Sequence, residues 1–292
     1  MIRTSLRSTL VAVALVALGA GLAAPAAAAE LNLPRPSPKA VVSQTVGLTD
    51  FTVTYSRPAV KGRVIWGDLV PYNEIWRTGA NEATSLVTTG EATIAGKKIP
   101  AGEYSIYTLP TPGEWTVIIS TEKGAWGSFT YAKEKDAHRF TVKPAAAPHV
   151  ERMRFSFENM TDTSADLVLS WEKLQVTIPI EVATQEQAMA GIRAAMAEAK
   201  ADDWRTPFRS AQYCFNAGVN LEEAMKWAEQ SVAVQAGYLN LGLLADMKMK
   251  AGNRKDAIAA AERAVKAGKE DPTKPDTRAL EKKLAEWKGQ KG

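Results

Sequence analysis

The feature that most limits what this chain can fold into is a change of hydrophobic period near Thr184. Before it, apolar residues alternate with polar ones in short β-branched and aromatic runs. Examples are Phe51-Thr52-Val53-Thr54-Tyr55, Glu103-Tyr104-Ser105-Ile106-Tyr107, Trp115-Thr116-Val117-Ile118-Ile119 and Met153-Arg154-Phe155-Ser156-Phe157. Residues 166–171 and 175–180 follow the same habit. A period of two gives a strand one apolar face, and the Gly and Pro between runs supply turns. About ten such strands over residues 41–183 predict an all-β sandwich of jelly-roll-like kind. Within it, residues 94–104 are expected to form a hairpin and a Gly-assisted turn into the next strand, with Pro100 where no ladder donor is needed.

Residues 184–292 are alanine-rich with helical spacing, which predicts a small all-α helical-repeat domain. Thr184 with Gln187, and Asn220 with Glu223, have the spacing of a capping box. Slid along itself, the chain lays Ala224, Ala228, Ser231 and Val232 on Ala257, Ala261, Ala264 and Val265, a period of one helix-turn-helix unit. Leu241, Leu244, Ala245 and Met249 mark one face of a helix that Gly252 is placed to end. The pattern resembles the tetratricopeptide repeat family, with flanking helices near residues 184–200 and 276–288. Gly218 and Gln212 depart from the family pattern in the first unit. That resemblance implies a groove for a peptide or protein partner. The plainer alternative is a subdomain that caps itself or docks on the β domain.

Residues 1–29 begin with Arg3 and Arg7, continue through an apolar run and end in Ala27-Ala28-Ala29. This is the pattern of a secretory signal, with cleavage expected before Glu30. Gly19, Gly21 and Pro25 interrupt the run that an uncleaved anchor would need, so no stable membrane insertion is expected after cleavage. A periplasmic or extracellular location follows. Residues 30–40, with Pro34, Pro36 and Pro38, are expected to be a tether. Loss of Arg3 and Arg7 takes the formal charge from +4 to +4 − 2 = +2. The remaining Lys and Arg are dispersed, which excludes the concentrated basic stripe of a nucleic-acid binder. Cys214 is the single cysteine, so the exported chain folds without an internal disulfide. Lying between Tyr213 and Phe215, it is expected to be a small buried residue.

Residues 55–84 hold a dense polar series: Arg57-Pro58, Lys61-Gly62-Arg63, Trp66-Gly67-Asp68, Pro71-Tyr72, Glu74, then Trp76-Arg77-Thr78-Gly79-Ala80-Asn81-Glu82-Ala83-Thr84. Gly96-Lys97-Lys98-Ile99-Pro100-Ala101-Gly102-Glu103-Tyr104-Ser105 follows. Together these motifs resemble a family of secreted bacterial domains of unknown function, whose signature contains Trp-Arg-Thr-Gly-Ala-Asn-Glu. The resemblance extends to about residue 182 and implies no established activity.

Chemically, Arg77 offers a planar fork for a carboxylate, phosphate or pair of sugar hydroxyls, Asn81 donates and accepts, and Glu82 accepts. With Arg57, Arg63, Trp76 and Tyr104 they form the candidate ligand-binding set, suited to a carbohydrate or another small polar ligand. The alternative for the same residues is a fold lock in which Arg77 pairs with Glu82 or Glu74. Catalysis has thinner support: H-E-x-x-H and G-x-S-x-G are absent, and His138 and His149 are the only histidines. His138 is expected at an exposed strand edge. No catalytic residue, metal ligand or cofactor is assigned. The expected function is noncatalytic binding by the β domain, or of a protein partner by the helices. The alternatives are an envelope hydrolase using carboxylates near Glu74 and Glu82, and a structural envelope assembly protein.

Overall fold

The computed structural model describes residues 33–289, so the expected signal segment lies outside the described residues. Two antiparallel sheets form first. The larger contains β1 (Lys39–Val46), β2 (Thr49–Ser56), β3 (Thr84–Thr88), β6 (Gly102–Leu109), β7 (Trp115–Ser120) and β8 (Asp136–Val142), in that order across the sheet. The smaller runs β5 (Lys97–Ile99), β4 (Ala92–Ile94), β10 (Ser164–Glu181), β9 (Ala145–Glu158). The alternation in the sequence sorts side chains as expected. Phe51, Val53, Leu86, Ile106, Val117 and Ile119 from the larger sheet share one core with Met153, Phe155, Leu167, Leu169, Ile178 and Ile180 from the smaller. The β4–β5 turn is Ala95-Gly96, both at positive φ (46° and 81°), the backbone that a two-residue type I′ hairpin requires.

Because β3 pairs directly with β2, the chain between them, residues 57–83, leaves the sheet and returns to the same place. It lies over an end of the sandwich and delivers the polar series there. Four indoles close that end. Trp66 packs edge-on against Trp76, Trp115 and Trp171 with centroids 5.9, 4.8 and 5.6 Å apart, and Trp76 stacks on Trp171 at 5.9 Å. Each such pair contributes about 0.5–1.5 kcal/mol beyond the area it buries.

The structure revises the tether. β1 already begins at Lys39, and the preceding residues are held against the β domain. Asn81 Nδ2 donates to Ser37 O at 3.1 Å, Arg57 N–H to Pro38 O at 2.9 Å, and Arg35 pairs with Glu82 at 2.7 Å. Proline here removes donors from a segment whose carbonyls are met by the Asn81 side chain at Ser37 and by the Arg57 amide at Pro38.

Six helices follow: α1 (Thr184–Glu198), α2 (Arg205–Ala217), α3 (Leu221–Val234), α4 (Tyr238–Lys250), α5 (Arg254–Glu270) and α6 (Arg278–Gly289). α2–α3 and α4–α5 are hairpins, and their bends repeat. Gly218 and Gly252 have φ of +71° and +82°, and the next amides, Val219 and Asn253, donate back to Cys214 O and Lys248 O at 3.0 and 2.9 Å. This is the glycine stop expected at Gly252, present in both units. Ala224, Ala228, Ala257, Ala261 and Ala264 are fully buried, and Cys214 is buried in one cluster with Ala224 and Ala228, its thiol pKa raised by burial. The two expected capping boxes do not form. Thr184 Oγ1 instead donates to Asp162 O at 2.8 Å, and Asn220, at φ +46°, makes no cap bond and reaches Glu223 at 3.4 Å. The first turn of α1 is thereby committed to the β domain, where Gln187 Nε2 also donates to Thr49 Oγ1 at 3.1 Å. Gly47, at φ +57°, leaves room for Thr184, since a Cβ there would fall 2.0 Å from Thr184 Oγ1.

Trp115 is 1% exposed and packs its ring 4.8 Å from that of Trp66. Trp115→Ala is expected to cost about 3–5 kcal/mol in denaturant unfolding, the usual range for emptying a large aromatic site.

Candidate functional site

The signature is a loop tied to itself. Trp76 adds a rung to the larger sheet: its N–H donates to Thr108 O at 2.8 Å and its carbonyl accepts from Thr108 N–H at 2.9 Å. Its indole N–H reaches ahead to Gly79 O at 3.0 Å. Thr84 Oγ1 donates to Thr78 O at 2.6 Å, and Thr84 N–H to Arg77 O at 3.1 Å. Gly79 is crowded, since an added Cβ would lie 3.1 Å from Thr84 Oγ1 and 3.2 Å from Ser56 O. Thr78 and Asn81 turn the chain at φ +54° and +59°. A β-branched residue at positive φ is strained, and such strain persists only where neighbours over-determine it.

Arg77 is thus held between two buried residues, Trp76 and Thr78. Its side chain lines a cleft of about 300 Å³ with Pro58, Arg63, Glu74, Trp76 and Trp171. Among the described residues it makes no ion pair, its Nε is buried without a hydrogen-bond partner, and burial lowers its pKa. The pairing with Glu82 or Glu74 that a fold lock requires is therefore not formed. Trp171 Nε1 and Trp66 Nε1 are likewise buried and unpartnered. Glu74 lines the cleft as an exposed carboxylate.

Of the expected set, the cleft gathers Arg63, Trp76 and Arg77. Arg63 braces its own turn by donating to Val60 O and Ala59 O at 3.1 and 2.5 Å. Trp76, 8% exposed, belongs to the core and presents only a small part of its surface. The others lie elsewhere. Arg57 Nε donates to Met153 O at 2.8 Å, Asn81 Nδ2 to Ser37 O and Ser56 Oγ at 3.1 and 3.2 Å, and the buried Tyr104 hydroxyl to Pro100 O at 2.8 Å. Glu82 lines a separate cavity of about 400 Å³ with Arg35, Lys39 and Glu103. There Arg35 grips both of its oxygens at 2.7 and 3.0 Å and holds its pKa below the ordinary 4.5. Glu74 and Glu82 therefore do not face each other across one site. Segment 35–38 runs between the two cavities, with Ser37 on the first and Arg35 on the second.

Residues 37–180 match the family model described as a protein of unknown function, DUF2911. The DUF2911 match takes in both sheets and the whole signature loop and ends before α1, so the helical hairpins stand outside it. No curated protein and no solved structure matches the chain. Among the described residues, no three His, Cys, Asp or Glu side chains converge as a metal site, and no helix is long and apolar enough to cross a membrane. His138 sits half-buried on β8, one of the two edge strands of the larger sheet.

Sequence reasoning missed Trp171 as a cleft residue, and it missed Ser128, which also lines the cleft. Trp171 reads in sequence as one more alternating strand residue. Ser128 lies in Gly124-Ala125-Trp126-Gly127-Ser128-Phe129, where aromatics set between glycines outside any strand were the available signal.

Two stability measurements separate these roles. Arg77→Ala is expected to leave denaturant stability unchanged or slightly raised, because it removes a desolvated cation that has no partner. Asn81→Ala is expected to cost about 1–3 kcal/mol, since it removes the donor to two oxygens and places alanine at positive φ. Equal losses would contradict the assignment.

Glu82 gives a pH dependence. Its folded pKa is depressed, so the stability it lends is present above 4.5 and is lost as pH falls through the lower folded value. Because the pair is about half exposed, its worth is under about 1 kcal/mol. Glu82→Gln at neutral pH is expected to reproduce the acid state, speeding amide exchange at Arg57, whose N–H donates to Pro38 O, while exchange in β6 and β7 stays unchanged.

Proposed function

We propose that this chain is an exported binding protein whose β domain holds, without chemical conversion, a small ligand presenting acceptor oxygens to the Arg77 cleft. The observation that carries this reading is the set of buried, unpartnered N–H donors on Arg77 and Trp171 within one cleft, with Trp66 beside it. Donors kept desolvated and fixed by a strained loop are pre-organised, so a ligand pays little to order them. An anionic or strongly accepting group gains most, because charge-assisted bonds to a guanidinium are about twice as strong as neutral ones. The signature of the secreted domain family and the tetratricopeptide-like hairpins are accommodated here as a recognition domain with a stabilising appendage. The contacts of α1 with Thr49 and Asp162 support docking of that appendage.

The hydrolase alternative is weakened by Glu82, whose carboxylate is committed to Arg35 in the other cavity and whose depressed pKa unsuits it to act as a general acid. Calorimetry and thermal shift of the mature protein against saccharides and small oxyanions test the proposal. Saturable binding is expected, weakened at least about tenfold, or about 1.4 kcal/mol, in Arg77→Gln at unchanged thermal stability. Equal affinity of Arg77→Gln would remove the proposal. Release of new reducing ends that disappears in Glu74→Gln would replace it with hydrolysis.

A further inference from the structure

Beside the cleft, the loop between β7 and β8 displays two aromatic rings to solvent: Trp126 is 59% and Phe129 is 87% exposed. The loop that carries them is fixed. Ala83 N–H donates to Ala125 O at 2.9 Å and Gly127 N–H to Asn81 O at 3.0 Å, so the signature itself supplies its footing. At the far end the Tyr131 hydroxyl donates to Asp136 Oδ2 at 2.8 Å and accepts from Arg139 at 2.7 Å. That site is dry enough to push the Tyr131 pKa up to about 12. Gly127 has φ +73°, and a Cβ on it would lie 2.7 Å from the Phe129 ring, so the ring lies back across the glycine. Ser128, between these residues, lines the Arg77 cleft, and the exposed Leu69 lines it too.

We infer that the cleft and this loop together form one site for an acidic saccharide of two or more residues, its carboxylate on Arg77 and a neighbouring sugar ring on Phe129. The inference rests on the reading of the Arg77 cleft given above. A carboxylate matches the planar fork of Arg77, which makes no ion pair among the described residues although the Glu74 carboxylate lines the same cleft. The C–H face of a pyranose is apolar and flat enough to lie on an exposed aromatic ring, which satisfies Phe129 without requiring a deep pocket. A ligand with an anionic group and an apolar ring face one residue apart uses both features. A free small anion uses only the first.

The experiment measures binding of tetragalacturonate, glucuronate, maltotetraose and tetraglutamate by calorimetry and tryptophan emission, with wild type, Arg77→Gln and Phe129→Ala. Thermal unfolding checks that each variant is folded. Tetragalacturonate is expected to bind at least about tenfold tighter than glucuronate or maltotetraose. Phe129→Ala should abolish that gain while leaving the glucuronate Kd unchanged, and Arg77→Gln should weaken both acidic ligands. If glucuronate binds through Arg77 but the tetramer gains nothing, or Phe129→Ala has no effect, the extended saccharide site is wrong and the cleft reading stands. If tetraglutamate binds as tightly as tetragalacturonate, the site takes acidic peptides and the inference fails. If no probe binds wild type, the inference and the cleft reading fail together.

Discussion

The antiparallel rung between Trp76 and Thr108 is the contact on which the rest of the candidate site depends. Residues 57–83 begin and end beside β2, so nothing in the strand pairing alone decides how far they lean over the sandwich. The two bonds of the rung, with the Trp76 ring stacked on Trp171, set that position. Once it is set, the Arg77 backbone is fixed between the buried Trp76 and Thr78 and its half-buried side chain lines the cleft. Trp76 is then a placing residue, whose burial turns hydrophobic energy into the position of a cation.

The same loop organises its neighbours through backbone groups. Asn81 donates through its side chain to Ser37 and accepts through its carbonyl from Gly127, joining segment 35–38 on one side and the aromatic loop on the other. Glu82 completes the first of these attachments through Arg35. A motif of nine residues thus contains both the cation and the fixtures of the two segments beside it. This explains why a cluster of polar residue types in sequence separates into two cavities in space.

Much of the fold could be read from periodicity, because alternation and Ala-rich spacing are local properties that each element expresses by itself. Phe51 and Val53, or Ala224 and Ala228, disclose their buried faces without reference to anything distant. The site was less legible, since its parts are joined by contacts between remote residues. Trp171 reaches the cleft because β10 packs beside the 57–83 excursion. Arg35 reaches Glu82 because the Asn81 side chain and the Arg57 amide hold the carbonyls of Ser37 and Pro38, where composition suggested a tether. The capping boxes failed for a related reason: Thr184 has the right spacing, but the β domain offers its hydroxyl the Asp162 carbonyl, and tertiary context outweighs a local preference.

Buried polar atoms without partners are few in native proteins, and their chemical kind matters more than their number. Here they fall into two groups. Tyr107 hydroxyl, Glu122 Oε2 and Asp136 Oδ1 combine a donor with acceptors. Burial, and then the charge of Glu122, push the Tyr107 pKa up. Arg77 Nε, Trp171 Nε1 and Trp66 Nε1 are all donors. No rotation allows them to satisfy one another, and each costs about 1–3 kcal/mol while unmet. Folding places Arg77 and Trp171 on one cleft nonetheless, with Arg77 on a loop that also tolerates a left-handed threonine. The carboxylate that shares their cleft, Glu74, makes no ion pair with Arg77. A fixed oxyanion meets a desolvated guanidinium better than mobile water does, and this asymmetry, more than the size of the cleft, is what the proposal at Arg77 rests on.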